Sequence, residues 1–381
     1  IAETLTGPAA RIAFDDAGMP TKAAIGFAAG KGLGPDALQR ITTPKGEYVA
    51  VTVTREGEDA ATVASRALRN AFGEIPWKRA MRWGWETATF ARPVHWLVAL
   101  LGSDVLPVSF AGVDAGRTTF GHRFLAPGPI VLPDADAYVP SLRAAYVEPD
   151  AADRRASILA RATEAAAAQG VTLIADEGLA DEVKHLVEWP VALLGRFPAE
   201  LLEVPREVLI TSMRSHQRYF AAEDARGRLA NVFVFISNMV VPDPAVVIAG
   251  NLRVLLARLE DAKFFFREDR KHTLDDRLGR LDTIRYIDGL GSLRDRARRI
   301  GTLTAWLLDH LSVTDSATRA AAQRAATLAK ADLTTGMVYE FPTLQGTMGR
   351  YYALLAGESP AVAAAIEEHY APRGEIGRAH V

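Results

Sequence analysis

Residues 250–271, GNLRVLLARLEDAKFFFREDRK, restrict the fold more than any other stretch of the chain. Leu252, Leu255, Leu256, Leu259 and Phe266 fall at relative positions 0, 3, 4, 7 and 14, which is the apolar stripe of a long amphipathic helix. Lys263, Arg267, Arg270 and Lys271 cluster on a neighbouring face, and Gly250-Asn251 reads as the start signal. Phe264, Phe265 and Phe266 cannot all point the same way on a helix, so more than one partner surface is expected to cover them. Before this helix, strands and helices alternate. After it, nearly everything carries helical periodicity.

With 381 residues there is enough chain for two or three domains with full cores. The 44 basic and 46 acidic residues nearly cancel, so a polyanionic partner would have to be held by local patches. The absence of cysteine excludes disulfides and cysteine-ligated metals and suits a reducing compartment. Apolar runs such as 94–101 and 232–236 are too short to cross a bilayer, and residue 1 is Ile rather than Met.

Residues 1–40 read as loop and short helix, with glycines at 30, 32 and 34. A phosphate-loop reading fails there, because GFAAGK at 26–31 is one residue short and Gly32 stands where Ser or Thr should hold magnesium. Val and Thr alternate over 48–54, predicting a strand, and 59–72 predicts a helix. A buried strand is expected over 92–102, a turn at Gly102-Ser103-Asp104 and a return strand over 105–110. Helices are expected over 150–169 and 177–188, a third from Pro205 to about 215, and a central strand over 232–236, apolar on both faces. Further helices are read at 293–311, 316–337 and 360–370.

The polar motifs that stand out place arginine beside an aromatic ring. These are Arg82-Trp83, Arg92 with His95-Trp96, His122-Arg123-Phe124, and His216, Arg218 and Tyr219. A guanidinium next to a ring face suits a phosphate with a stacked base. Equally, the rings could be core anchors and the arginines partners of buried carboxylates. On the long helix, Lys263, Arg267 and Arg270 could track a nucleic-acid backbone or form a solvated face laced by Glu260–Lys263 and Glu268–Lys271 pairs. No HExxH, His-Asp dipeptide or G-x-S-x-G elbow occurs. Asp332 reads as a satisfied buried carboxylate on a helix. By themselves these residues reach an α/β region joined to a helical one, and stop short of a reaction.

Taken together, the strings MRWG (81–84), RPVHW (92–96), GHRF (121–124), LVEWP (186–190), HQRYF (216–220) and FISN (235–238) resemble the β subunit of the bacterial heterotetrameric glycyl-tRNA synthetase. The frame of 250–271, LGSLRDR (290–296), AKADL (329–333) and MVYEFPTLQGTMGRYYA (337–353) complete the resemblance, in the family's order. It implies an α+β fold, with a B3/B4-like α/β region over 1–249 followed by an incomplete all-helical HD-like domain over 250–373. It also implies a tRNA-handling, non-catalytic subunit of a cytoplasmic glycine–tRNA ligase. Its partners would be the α subunit, in an α₂β₂ heterotetramer, and tRNA(Gly), with no membrane. ATP and Mg are used by the complete enzyme and no cofactor is expected in this chain. The tRNA-binding candidates are Arg82, Arg92, Arg123, His216, Arg218, Lys263, Arg267 and Arg270.

The resemblance also sets limits. Residues 374–381 are expected to be a non-native tail, and family segments are expected on both sides of the stretch present. A helical domain cut midway is expected to expose apolar surface near 362–366. Of the residues an HD phosphohydrolase needs, only Asp332 is suitably placed, and no metal is expected. Such a metal-dependent phosphohydrolase and a structural scaffold for a partner subunit are the alternatives.

Overall fold

The computed structural model describes residues 2–54 and 57–371, so the expected tail at 374–381 lies outside the described residues. The chain forms two compact units, one of residues up to 119 with 129–138, the other of 120–128 with everything from 139 onward.

In the first unit, β1 (Ala2–Ala9), β2 (Leu38–Thr43) and β3 (Gly46–Thr54) form an antiparallel sheet with β3 in the middle and α1 (Lys22–Ala29) packed nearby. Val49, Ala50 and Val51 are fully buried, as expected for the central strand of 48–54. The loop expected at the amino end is instead β1. Gly7-Pro8 hides it in the sequence, but an edge strand tolerates a missing N–H, and the register shifts between Thr6 and Ala9 where the proline sits. Asp59 caps α2 (Ala60–Glu74) by accepting from Thr62 N at 3.1 Å.

The single buried strand expected over 92–102 is broken in two. β4 (Leu97–Val98) and β5 (Leu100–Leu101) find different partners. β5 turns through Gly102 (φ 58°) into β6 (Asp104–Val105), as expected, whereas β4 runs parallel to a later strand. At the switch, Ala99 C=O accepts from Leu106 N at 2.9 Å.

In the second unit a short helix, Tyr138–Ala144, precedes α3 (Ala151–Ala167), which is capped by Asp150 and buries Ile158, Ala162 and Ala166. α3 packs on a four-stranded antiparallel sheet of β7 (Thr172–Leu173), β8 (Val191–Arg196), β9 (Phe220–Glu223) and β10 (Leu229–Ser237), in the order β7-β9-β10-β8. β10 is interior and holds Val232, Phe233 and Val234 at zero exposure, so the central strand was legible. α4 (Glu177–Val183) ends before the expected 188, and α5 (Arg206–Ser212) runs into a wider turn.

The long helix, α6 (Pro244–Asp269), starts earlier than Gly250-Asn251. The start signal is Asp243-Pro244, with the carboxylate accepting from Ala245 N at 2.9 Å and proline at the first helical position. Leu255, Leu259 and Phe266 are buried as the stripe requires. Of the three phenylalanines, Phe266 is buried and Phe265 packs against the core, but Phe264 is 58 % exposed, so not all of them are covered. One hydrophobic cluster runs from Phe197 and Phe233 through α6 to Tyr352 and Ile366. This cluster runs through α6 without a break.

After α6 the chain makes a one-turn helix, Leu274–Arg277, and a short antiparallel hairpin of Arg285–Ile287 and Gly291–Ser292, so the region is mainly but not all helical. Then come α7 (Leu293–His310), α8 (Ser316–Leu328), α9 (Gly336–Glu340), α10 (Thr347–Leu355) and α11 (Pro360–Glu368). The helix expected over 316–337 stops at Leu328 because Lys330 turns the chain in the left-handed region (φ 74°). The apolar surface expected near 362–366 is not there: Val362, Ala363 and Ile366 are at most 3 % exposed. A Cβ on Gly349 of α10 would stand 2.6 Å from Ile366 Cγ2, so the bare glycine admits α11 to close contact. No helix among the described residues is long and apolar enough to cross a membrane.

Candidate functional site

Four strings distant in sequence meet around the end of α5. The helix widens into a π turn over Met213–Gln217, closed by Tyr219 N donating to Met213 C=O at 3.0 Å. Such widened turns mark sites where a side chain is re-aimed. Arg218 then takes a left-handed backbone (φ 59°, ψ 39°), a conformation costing about 1–2 kcal/mol for a non-glycine residue. Its guanidinium meets Glu182 at 2.5 Å and also donates to Ser215 C=O. Next in the chain, Tyr219 stacks on Phe233 at 5.1 Å and donates its hydroxyl to Asn251 Oδ1 at 2.5 Å. Burial pushes the tyrosine pKa up to about 12.

Asn251 Nδ2 donates to Val247 C=O at 2.8 Å, and Asn238 Oδ1 accepts from Glu188 N (2.5 Å) and Trp189 N (3.1 Å). These asparagines tie the 186–190, 216–220, 235–238 and 250–251 strings to one recess of about 300 Å³. Apolar walls of Leu186, Val187 and Ile236 face the Gln217 amide and the Arg218 guanidinium. This is a binding surface with mixed walls. The sequence pattern assigns Asn251 only to a helix start and Asn238 to no role, because an amide's importance lies in which distant group it reaches.

The expected cations fare differently. Arg82 and Arg92 are exposed in the first unit, Arg92 at the mouth of a recess of about 370 Å³ with Phe72, Phe90 and Phe110. Arg123 is exposed in the second unit, with its guanidinium 5.8 Å from the ring centre of Phe124, itself 70 % exposed. Its neighbour His122 is buried and accepts from the N–H groups of Phe124 and Leu125, both at 3.2 Å, so the histidine builds the turn that presents Arg123.

His216 packs its ring edge-on against Phe341 at 5.7 Å, a packing role. Lys263 is mostly covered and pairs with Glu203 at 3.5 Å and Glu200 at 3.8 Å, where an intrahelical Glu260 partner was expected. Arg267 shares Glu203 at 2.7 Å, while the expected Glu268–Lys271 pair forms at 2.5 Å. Arg270 lies over Phe266 at 5.4 Å. Exposed ion pairs of this kind contribute about 0–1 kcal/mol each, so their cations can exchange partners at small cost.

The carboxylates beneath α10 are committed to the fold. Asp269 is buried and accepts from Gly336 N and Met337 N (both 2.9 Å), Tyr352 OH (3.0 Å) and Arg277 (3.1 Å). It thereby anchors the start of α9 and pins α10 to α6. Burial, and then the Asp269 charge, push the Tyr352 pKa up. Asp332 lies in the 3₁₀ turn Ala331–Thr334 rather than on an α-helix. It accepts from Gly346 N at 2.6 Å through one oxygen, and the other has no partner among the described residues. Burial raises its pKa above the ordinary carboxylate value. Around it, burial lowers Lys330 to about 8 and His369 to about 4.

Comparison with known proteins gives one answer. The family model described as glycyl-tRNA synthetase beta subunit matches residues 1–379. The chain is 48% identical over 374 residues to the glycine–tRNA ligase beta subunit of Myxococcus xanthus, covering 98% of this chain and 53% of that protein. Its counterpart from Geotalea daltonii is 46% identical over 369 residues, 97% of this chain and 53% of the relative. An Anaeromyxobacter protein of the same name is 47% identical over 369 residues, 97% of this chain and 52% of the relative. The chain thus spans about half the length of the curated relatives it matches. On identity and coverage alike, it belongs to the glycyl-tRNA synthetase beta subunit family.

Proposed function

We propose that this chain is the tRNA-binding part of a glycine–tRNA ligase beta subunit, supporting attachment of glycine to tRNA(Gly) while an alpha subunit carries the catalytic core. The family match over nearly the whole chain carries this reading. In it, ATP and Mg act at the alpha subunit, the assembly is an α₂β₂ heterotetramer, and the compartment is the cytoplasm. Residues 1–249 correspond to a B3/B4-like region and 250–373 to the first part of an HD-like domain.

The exposed Arg123–Phe124 pair supports the RNA side of this reading, with Arg82, Arg92, Arg218 and Arg267 as further backbone contacts. Each phosphate neutralised would add about 0.7–0.9 to the slope of log affinity against log salt. A phosphohydrolase centred on Asp332 is the less supported reading, since that buried carboxyl already accepts from Gly346 N. The decisive test is glycylation of tRNA by the alpha subunit alone and with the complete beta subunit. Full activity from alpha alone, with no salt-sensitive tRNA binding by beta, would refute the proposal.

A further inference from the structure

A cleft of about 990 Å³ opens in the second unit between the ends of β8, α5, α6 and α10. Three leucines stand partly in solvent on its walls: Leu202 at 37 %, Leu354 at 41 % and Leu355 at 52 % exposure. Aliphatic side chains converging on one cleft while exposed mark an interaction surface.

Four arginines rim the same cleft. Arg228 is held by Asp224 at 2.7 Å, and Arg206 by Glu223 at 3.6 Å and Gly227 C=O at 3.0 Å. The other two lack a carboxylate among the described residues. Arg196 reaches only the amide oxygen of Gln169 at 3.1 Å, and Arg270 only the ring of Phe266. Glu203, also on the rim, is already engaged by Arg267 and Lys263. Two guanidinium forks are therefore open to carboxylates or phosphates.

The walls favour carboxylates. A stacked base needs a bare aromatic face, and a bare phosphate backbone has no use for leucine walls. Phe266 is buried, with Arg270 at 5.4 Å and Tyr352 stacked at 6.1 Å. Tyr351 carries the Arg350 guanidinium at 4.4 Å and gives its hydroxyl to Glu207 at 2.8 Å. Neither offers such a face, and the remaining apolar wall is leucine. Leucine walls with arginine rims fit a helix that carries aliphatic residues on one face and acidic residues beside them.

We infer that this cleft docks an acidic amphipathic segment of the alpha subunit, an assignment that rests on the beta-subunit reading above. Leucine-like side chains would fill the space between Leu202 and Leu355, and carboxylates would pair with Arg196 and Arg270. The test uses the complete beta subunit and purified alpha subunit, with affinity measured by sedimentation or calorimetry, and tRNA affinity measured in parallel. Leu355 and Arg196 are both exposed, so Leu355→Asp and Arg196→Glu leave the core untouched, which equal melting temperatures would verify. Each substitution is expected to weaken alpha binding at least tenfold and leave tRNA affinity within twofold. Unchanged alpha binding by either variant overturns the assignment, as does loss of tRNA binding with alpha binding intact, which would make the cleft an RNA site. If wild-type beta binds no alpha subunit at all, the subunit reading falls and takes the inference with it.

Discussion

The inner and outer sides of α6 handle charge in opposite ways. On the inner side, Asp269 is sealed from water and receives four donors from α9, α10 and Arg277. On the outer side, Lys263 and Arg267 share Glu203 close to water, and Arg270 has only a ring beneath it. A charge removed from water must have every partner fixed or it destabilises the fold, whereas a surface cation holds its partner weakly and can trade it for a ligand. The two sides therefore predict different consequences of substitution, one in stability and the other in binding.

Asp269→Ala should do the most damage, because it strands the Arg277 charge and three further donors. A loss of about 3–5 kcal/mol is expected in a denaturant titration. A loss under about 1 kcal/mol would mean that the inner side is no more committed than the outer. Next comes Gly349→Val, which forces side-chain volume against Ile366 and the Asp332 carboxyl. Overpacking there should cost about 1–3 kcal/mol, and an unchanged melting curve would show that α11 is not seated as described.

Lys330 tests the inner side from the opposite direction. Its folded pKa of about 8 lies below the ordinary lysine value of 10.5, chiefly through burial. Between those two values the unfolded chain holds the extra proton, so stability should rise with pH across that window. Lys330→Met should stabilise the protein at pH 7 by about 1–2 kcal/mol, after allowing for the lost contact with the Tyr370 ring. The gain should shrink towards pH 10.5. A gain independent of pH would assign the effect to packing instead of charge burial.

Smallest in stability is Arg267→Ala, with a change below about 1 kcal/mol. Its tRNA affinity should fall, and the salt slope should drop by about 0.9 if one phosphate contact is lost. An unaltered slope would remove Arg267 from the RNA surface.

Local rules reached far into this molecule. The stripe of Leu255, Leu259 and Phe266, the doubly apolar strand around Val232–Phe233–Val234, the helices starting near 59 and 150, and the Gly102 turn all formed where expected. Each depends on neighbours within a few residues, so the chain itself carries the instruction. Errors gathered where long-range partners compete. β1 survives its Gly-Pro because it lies at a sheet edge, and Lys263 passes over Glu260 for Glu203 because another segment brings that carboxylate closer. The cationic and histidine side chains singled out beside aromatic residues divided similarly, since Arg123 stays beside an exposed ring while His216 packs against Phe341.

Sequence alone determined the family, the mainly helical character from residue 250 onward, the central strand of the second sheet and the balance of charge. Tertiary structure decided which of three consecutive phenylalanines would be hidden, that 362–366 would close against Gly349 instead of facing water, and that four scattered strings would share one recess. The reason is physical. Helix periodicity and capping are set over distances of one or two turns, but burial and ion pairing depend on which distant surface arrives, and that is resolved only when the whole core packs.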